Sequence, residues 1–170
     1  MQVKNPAAAG RRQELMRALN RISRESSGLG VLFGEEVARR MGINHTDLEC
    51  IDVIGQRERV TAGEVAEASG LTTGAVTGVI DRLEKAGYVK RERDPADRRK
   101  VYVRLLPKAL SEGSKYYGPF ERSVMALVDR YSDKELALFL DYFTRARDVV
   151  LGELTRLRNT PTGKRLAKAG

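Results

Sequence analysis

Apolar positions recur along most of this chain with a period near that of an α-helix, and with a period of two in one short stretch. Leu15, Leu19 and Ile22 fall at spacings of four and three among Arg and Glu, which predicts a helix over residues 7–25 with one apolar stripe. Ser26-Ser27-Gly28 is expected to end it. A shorter helix is predicted from Leu32 to Met41, stopped at Gly42. Asn44 and Asp47 mark the start of the next, with Asn44 placed to accept from exposed amides. That helix carries Leu48, Ile51 and Val53-Ile54 inward and ends near Gly55. Thr61 and Glu64 are three apart and read as a capping box for a short helix to Ser69, with Val65 and Ala66 facing in. Gly70-Leu71 turns the chain. Thr72 or Thr73 then caps a helix running to about Ala86, with Gly87 at its C-terminal end.

The period changes after Gly87. Residues 88–93 and 100–105 alternate like strands, and Asp94-Pro95-Ala96-Asp97 supplies turn chemistry between them, so a β-hairpin is predicted. From Lys108 to about Asp129 the pattern is helical again, with a kink expected at Pro119, which cannot donate to the ladder. A last helix starts at Ser132, with Glu135 completing a second capping box. Its stripe of Leu136, Phe139, Leu140, Phe143, Ala146, Val150, Leu154 and Leu157 is about seven turns long. Its own small domain can hardly cover that length, so part is expected to face a partner. From Thr160 onward the chain is rich in Pro, Gly and Lys and is expected to fray.

The helices at 61–69 and 72–86 meet through a Gly-containing turn, as a helix-turn-helix does. On the second, Val76, Val79, Ile80 and Leu83 cluster on one side. Gly74, Gly78, Asp81 and Lys85 fall opposite, flanked by Thr77 and Arg82. Each mid-helix glycine costs about 1 kcal/mol relative to Ala. Since both point away from the core, their use is close approach: a bare helix face can sit deep in a major groove ~12 Å wide, with Thr73 and Thr77 reaching phosphates or base edges.

Charge sharpens this picture. The 170 residues carry 31 Lys and Arg against 23 Asp and Glu, a net charge of +8, and the pI is near 9.8. The surplus is concentrated at the two chain ends and in residues 88–108, where eight bases face three acids. Three consecutive bases, Arg98, Arg99 and Lys100, follow the hairpin turn. Beside a duplex they would reach phosphates or an adjacent minor groove, with Asp97 pinning the turn or pairing with Arg99. A basic chain with such a focus points to nucleic acid.

The strings Leu71-Thr72-Thr73-Gly74-Ala75-Val76-Thr77, Ile80-Asp81-Arg82-Leu83-Glu84-Lys85-Ala86-Gly87-Tyr88-Val89, Arg91, Arg93-Asp94-Pro95, Asp97-Arg98-Arg99 and Val101-Tyr102-Val103-Arg104-Leu105 resemble the MarR family of winged-helix transcription regulators. The resemblance covers roughly residues 8–158. It implies a mainly α fold with a small β-hairpin wing: a winged helix-turn-helix core at 44–106, dimerisation helices at 8–42 and 107–158, and a basic flexible tail at 159–170. It implies a homodimer whose first helix and last two helices interlock, reading two half-sites of a palindrome in double-stranded DNA. Thr72, Thr73, Gly74, Thr77, Gly78 and Arg82 would line the major groove. Arg98, Arg99 and Lys100 would serve the wing, with Arg99 in the slot the family most often fills with Arg. It further implies a repressor released by a small aromatic or phenolic effector. Oxidant-sensing members carry a reactive Cys near the first helix, and this chain has none there.

Other functions find little support. No stretch approaches about 18 uncharged apolar residues, so no membrane span is expected. No apolar run follows a basic start, so no secretory signal is expected. With one Cys (Cys50, read as a small core residue) and one His (His45), neither an intramolecular disulfide nor a Cys- or His-rich metal site can form, which suits a reducing cytoplasm. His45 and Cys50, five apart on one helix, diverge by about 140° and make a poor catalytic pair. The glycines at 70, 74 and 78 lack the Gly-Lys-Ser/Thr ending of a phosphate loop. The chain is therefore read as no enzyme, without metal or cofactor. The alternative is a winged helix used for protein–protein contact, which a steep salt dependence of duplex binding would exclude.

Overall fold

A computed structural model of the chain describes residues 6–160. Nine elements follow in order: α1 (Pro6–Arg40), α2 (His45–Gly55), β1 (Val60–Thr61), α3 (Ala62–Ser69), α4 (Thr73–Lys85), β2 (Val89–Arg93), β3 (Val101–Leu105), α5 (Pro107–Val128) and α6 (Asp133–Asn159). The molecule is mainly helical with a small antiparallel sheet in the order β1-β3-β2. The tail expected at 159–170 lies, from residue 161 on, outside the described residues.

The chain divides into two compact units, Met1–Gly118 and Pro119–Gly170. In the first, the core is assembled from the short elements. Val37 and Ala38 of α1, Leu48, Ile51 and Ile54 of α2, Val65 of α3, and Val76, Val79, Ile80 and Leu83 of α4 are buried against Val60, Val89 and Val103 of the sheet. Those α4 residues form the apolar side that the sequence periodicity marks. Tyr88 is buried as well, and its hydroxyl donates to the Met41 carbonyl at 2.8 Å, which joins the end of α1 to the start of the wing. In the second unit, α6 follows Ser132, whose backbone N–H and hydroxyl both donate to the Glu135 carboxylate, at 2.8 and 2.7 Å. No residue of α6 is buried.

Local chemistry sets the helix ends. The Asn44 side chain accepts from the Asp47 amide at 2.8 Å, and that of Thr61 from the Glu64 amide at 3.3 Å, so both sequence-marked starts are capped. The Thr72 hydroxyl accepts from the Ala75 amide at 3.2 Å, which settles the choice of cap in favour of Thr72. Gly70 and Gly87 sit at φ of 73° and 76°, a left-handed conformation that an L side chain resists. The sharp turns into α4 and out of it depend on them.

Two expectations are corrected. Ser26-Ser27-Gly28 does not end a helix: α1 runs unbroken for 35 residues. The Ser27 hydroxyl donates to the Ser23 carbonyl at 2.8 Å, so it satisfies itself within the helix instead of competing with it. The glycines at 28 and 30 cost helix propensity, but nothing packs there to redirect the chain. The hairpin is also not alone. Val60 and Thr61 pair with Val103 and Tyr102 and add a third strand, too short for a period to be visible. Pro119 lies inside α5, which continues to Val128, and the division between the two units falls at its N-terminal side.

Candidate nucleic-acid interface

The residues expected at a duplex lie on the first unit. Thr72, Thr73, Gly74 and Thr77 are exposed and Gly78 is half-buried; Val76, Val79, Ile80 and Leu83 occupy the buried side. A Cβ built on Gly74 meets nothing within 4 Å. The Thr77 hydroxyl donates to the Thr73 carbonyl at 3.0 Å, so its methyl group and lone pairs are what remain for a partner. Thr72 has a second task as the cap of α4.

Arg82 is more constrained than its position predicts. Its Nε and Nη2 donate to the Asp47 carboxylate of α2, with Nη2–Oδ1 at 2.6 Å and Nε 3.2 Å from both oxygens. This pairing raises the guanidinium pKa further above its ordinary value. The Asp47 side chain is 2% exposed and that of Arg82 is 52% exposed, so a buried carboxylate grips a surface arginine by one edge. Arg82 is thus tied to the fold as well as presented at the surface. The sequence marked Asp47 only as part of a helix start. Its partner is 35 residues away, and no local spacing signals the pair.

A second network joins α4 to the wing. Arg91 of β2 pairs with Asp81 at 2.6 Å and Glu84 at 2.7 Å, and its backbone N–H donates to Glu84 at 2.9 Å. Arg91 Nη2 also lies 3.5 Å from the Thr77 carbonyl, so β2 starts against the open side of α4. These contacts hold the Glu84 carboxyl below its usual range. Asp81, on the open side, thereby has its charge matched.

The wing turn is built by its own acids. Asp94 Oδ1 accepts from the amides of Ala96 (2.7 Å) and Asp97 (3.0 Å), which lowers the Asp94 pKa. Asp97 Oδ1 accepts from both the Arg99 amide and Arg99 Nε at 3.2 Å, so Asp97 does both things the sequence suggested for it. Arg59 stands 3.8 Å from the Asp94 carboxylate, and its guanidinium lies 4.4 Å above the Tyr102 ring, which braces the base of the hairpin. Arg98, Arg99 and Lys100 are all exposed. Arg98 has no ion-pair partner among the described residues, and the Arg99 side chain is 91% exposed.

Cys50 is fully buried. Burial first, then the Asp47 and Glu49 carboxylates, pushes its thiol up to about 11. Among the described residues no group of three or more His, Cys, Asp or Glu could hold a metal ion, and no helix is long and apolar enough to cross a membrane.

Comparison with known proteins adds three findings. The model of the MarR family matches residues 43–101, the span from α2 to the start of β3. YcgE of Bacillus subtilis, described as an uncharacterized HTH-type transcriptional regulator, is 37% identical over 147 residues, covering 86% of this chain and 96% of its own length. The HTH-type transcriptional repressor YetL of the same organism is 27% identical over 82 residues, 48% of this chain and 49% of its own. Among solved structures, Streptococcus pneumoniae FabT in complex with DNA superposes with a TM-score of 0.66 at 24% identity, over 81% of this chain and 98% of that one.

Proposed function

The chain belongs to the MarR family of transcriptional regulators, and from that premise we propose that it is a homodimeric repressor that binds a pseudo-palindromic operator in double-stranded DNA. Each protomer lays α4 in a major groove, with Thr72, Thr73, Gly74, Thr77, Gly78 and Arg82 toward the duplex. Arg98, Arg99 and Lys100 of the wing reach the neighbouring phosphates or minor groove. The observation that carries this reading is the open side of α4: two glycines and short hydroxyl side chains, exposed on a helix whose other side is fully committed to the core. The exposed bases of the wing supply the charge such docking uses.

The α1, α5 and α6 helices serve as the dimerisation elements, and the protein works in the cytoplasm, where its DNA is. Release by a small aromatic or phenolic effector completes the proposal and rests on the family alone. Cys50 has no part in it, since a buried thiol held as the neutral form is a poor redox sensor.

Selection of bound duplexes from a random pool tests the reading. The expected outcome is an inverted repeat with half-sites about one helical turn apart, bound with an affinity that falls steeply with salt. A pool from which the folded protein retains no duplex overturns it. A screen for small aromatic acids that release the selected duplex tests the effector.

A further inference from the structure

Arg82 uses only part of its donor set inside the protein. The Nε–Nη2 edge is forked onto Asp47, and Nη1 donates to no acceptor among the described residues. That third nitrogen lies over Gly78: a methyl group added there would stand 3.6 Å from it. The guanidinium thus spans from a buried carboxylate to the open side of α4. Planar and rigid, it has its orientation fixed once one edge is bound.

Asp47 is the one buried charged residue among those described, and its carboxylate has a second bond, accepting from the Asn44 backbone N–H at 3.4 Å. It is therefore anchored to the start of α2 as well as to Arg82. Nearby Asp81 is paired to Arg91, so it does not compete for Arg82.

We propose that Asp47 is a positioning residue of the DNA interface, holding Arg82 so that Nη1 is presented beside Gly78 to a backbone phosphate. This rests on the regulator reading above. It also gives Gly78 a specific reason: a larger side chain would cover the donor. Arg82 joins two tasks in one group, and the contact it makes is oriented before DNA arrives, so less side-chain freedom is lost on binding.

The test is a salt titration of affinity for the duplex selected by the wild-type protein, made with the full chain well below its melting temperature. Arg82→Gln is expected to weaken binding about tenfold and to reduce the slope of log affinity against log salt by about one, the mark of one lost phosphate contact. Asp47→Asn is expected to weaken binding similarly, and by less than twofold once Arg82→Gln is present, because it acts through Arg82. A role confined to holding α2 and α4 together would leave the slope unchanged. Where a single substitution unfolds the chain, the Asp47→Asn/Arg82→Gln double variant, which leaves neither charge buried alone, reads the same slope. Unchanged slopes, or additive losses from the two substitutions, overturn the proposal while leaving the regulator reading intact. Failure of the wild type to bind any duplex overturns that reading instead.

Discussion

At the scale of single residues, side chains at this surface divide into those spent on the fold and those left over. Arg91 is spent, with both of its carboxylate partners on α4. Arg99 is barely spent: its amide and Nε both reach Asp97, yet its side chain is 91% exposed. Removing it leaves the turn intact, because Asp94 still accepts its two amides and the Lys100 amide still donates to the Asp97 carbonyl. Arg99→Ala is therefore expected to leave stability within experimental scatter and to weaken operator binding about tenfold, roughly 1.4 kcal/mol. A mobility-shift titration giving the wild-type affinity would remove Arg99 from the interface. Cys50 is the opposite case, invisible from outside but coupled to stability. Its thiol titrates near ~8.5 in an unfolded chain and at about 11 when folded. The folded pKa is the higher one, so this contribution to stability is complete below the unfolded value and is lost as pH rises toward the folded value. The loss is on the order of 2 kcal/mol. Urea unfolding at pH 8 and pH 10.5 should show a smaller alkaline loss for Cys50→Ala than for wild type; equal losses would mean that the thiol is not the group responsible.

Elements were legible in the sequence where local chemistry decides them and illegible where it does not. Asn44, Thr61 and Thr72 begin helices because a short oxygen-bearing side chain reaches an amide three residues on, a relation contained within four residues. The apolar side of α4 is readable for a similar reason. The contacts that orient α4 are not, since Asp47 to Arg82 and Glu84 to Arg91 are pairings across the fold that one sequence cannot disclose. The continuity of α1 through Ser26-Ser27-Gly28 was misread because propensity is a weak cost and nothing there imposes a turn. Gly78→Glu tests the open side of α4 as an element. Its Cβ would meet only the Arg82 Nη1, at an ordinary 3.6 Å, and Glu is a better helix former than Gly, so the circular dichroism spectrum and melting point are expected to hold. Bulk and a negative charge against phosphates should cost more than a hundredfold in affinity, about 3 kcal/mol. A retained footprint on the selected duplex would show that this side of the helix does not face DNA.

For the whole molecule, the decisive quantity is apolar surface that the single chain leaves uncovered. In the first unit Leu15, Leu19, Ile22 and Leu29 of α1 are each more than half exposed. In the second, Leu140, Phe143, Val150 and Leu157 of the expected α6 stripe are equally open, and so are Leu138, Val149 and Leu151 outside it. The sequence stripe was correct but incomplete: α6 is apolar on more than one side, and a helix of that kind is stable in water only when several sides are covered. Surface on this scale marks an interface, and the occupant proposed here is a second copy, for which the same helices are available from the partner. If dimerisation completes the fold, stability depends on protein concentration, so the melting temperature is expected to rise as concentration is raised. Deleting residues 133–170 should yield monomers or aggregates, depending on whether the remaining exposed helices find each other. Phe143→Glu keeps the chain length and places a charge on the stripe where the wild type has an exposed ring, so it separates loss of the contact from loss of the helix. Light scattering is expected to report a dimer for wild type and a helical monomer for Phe143→Glu. A soluble dimer from the truncated chain would mean that the covering surface lies elsewhere, and that α6 meets a different partner.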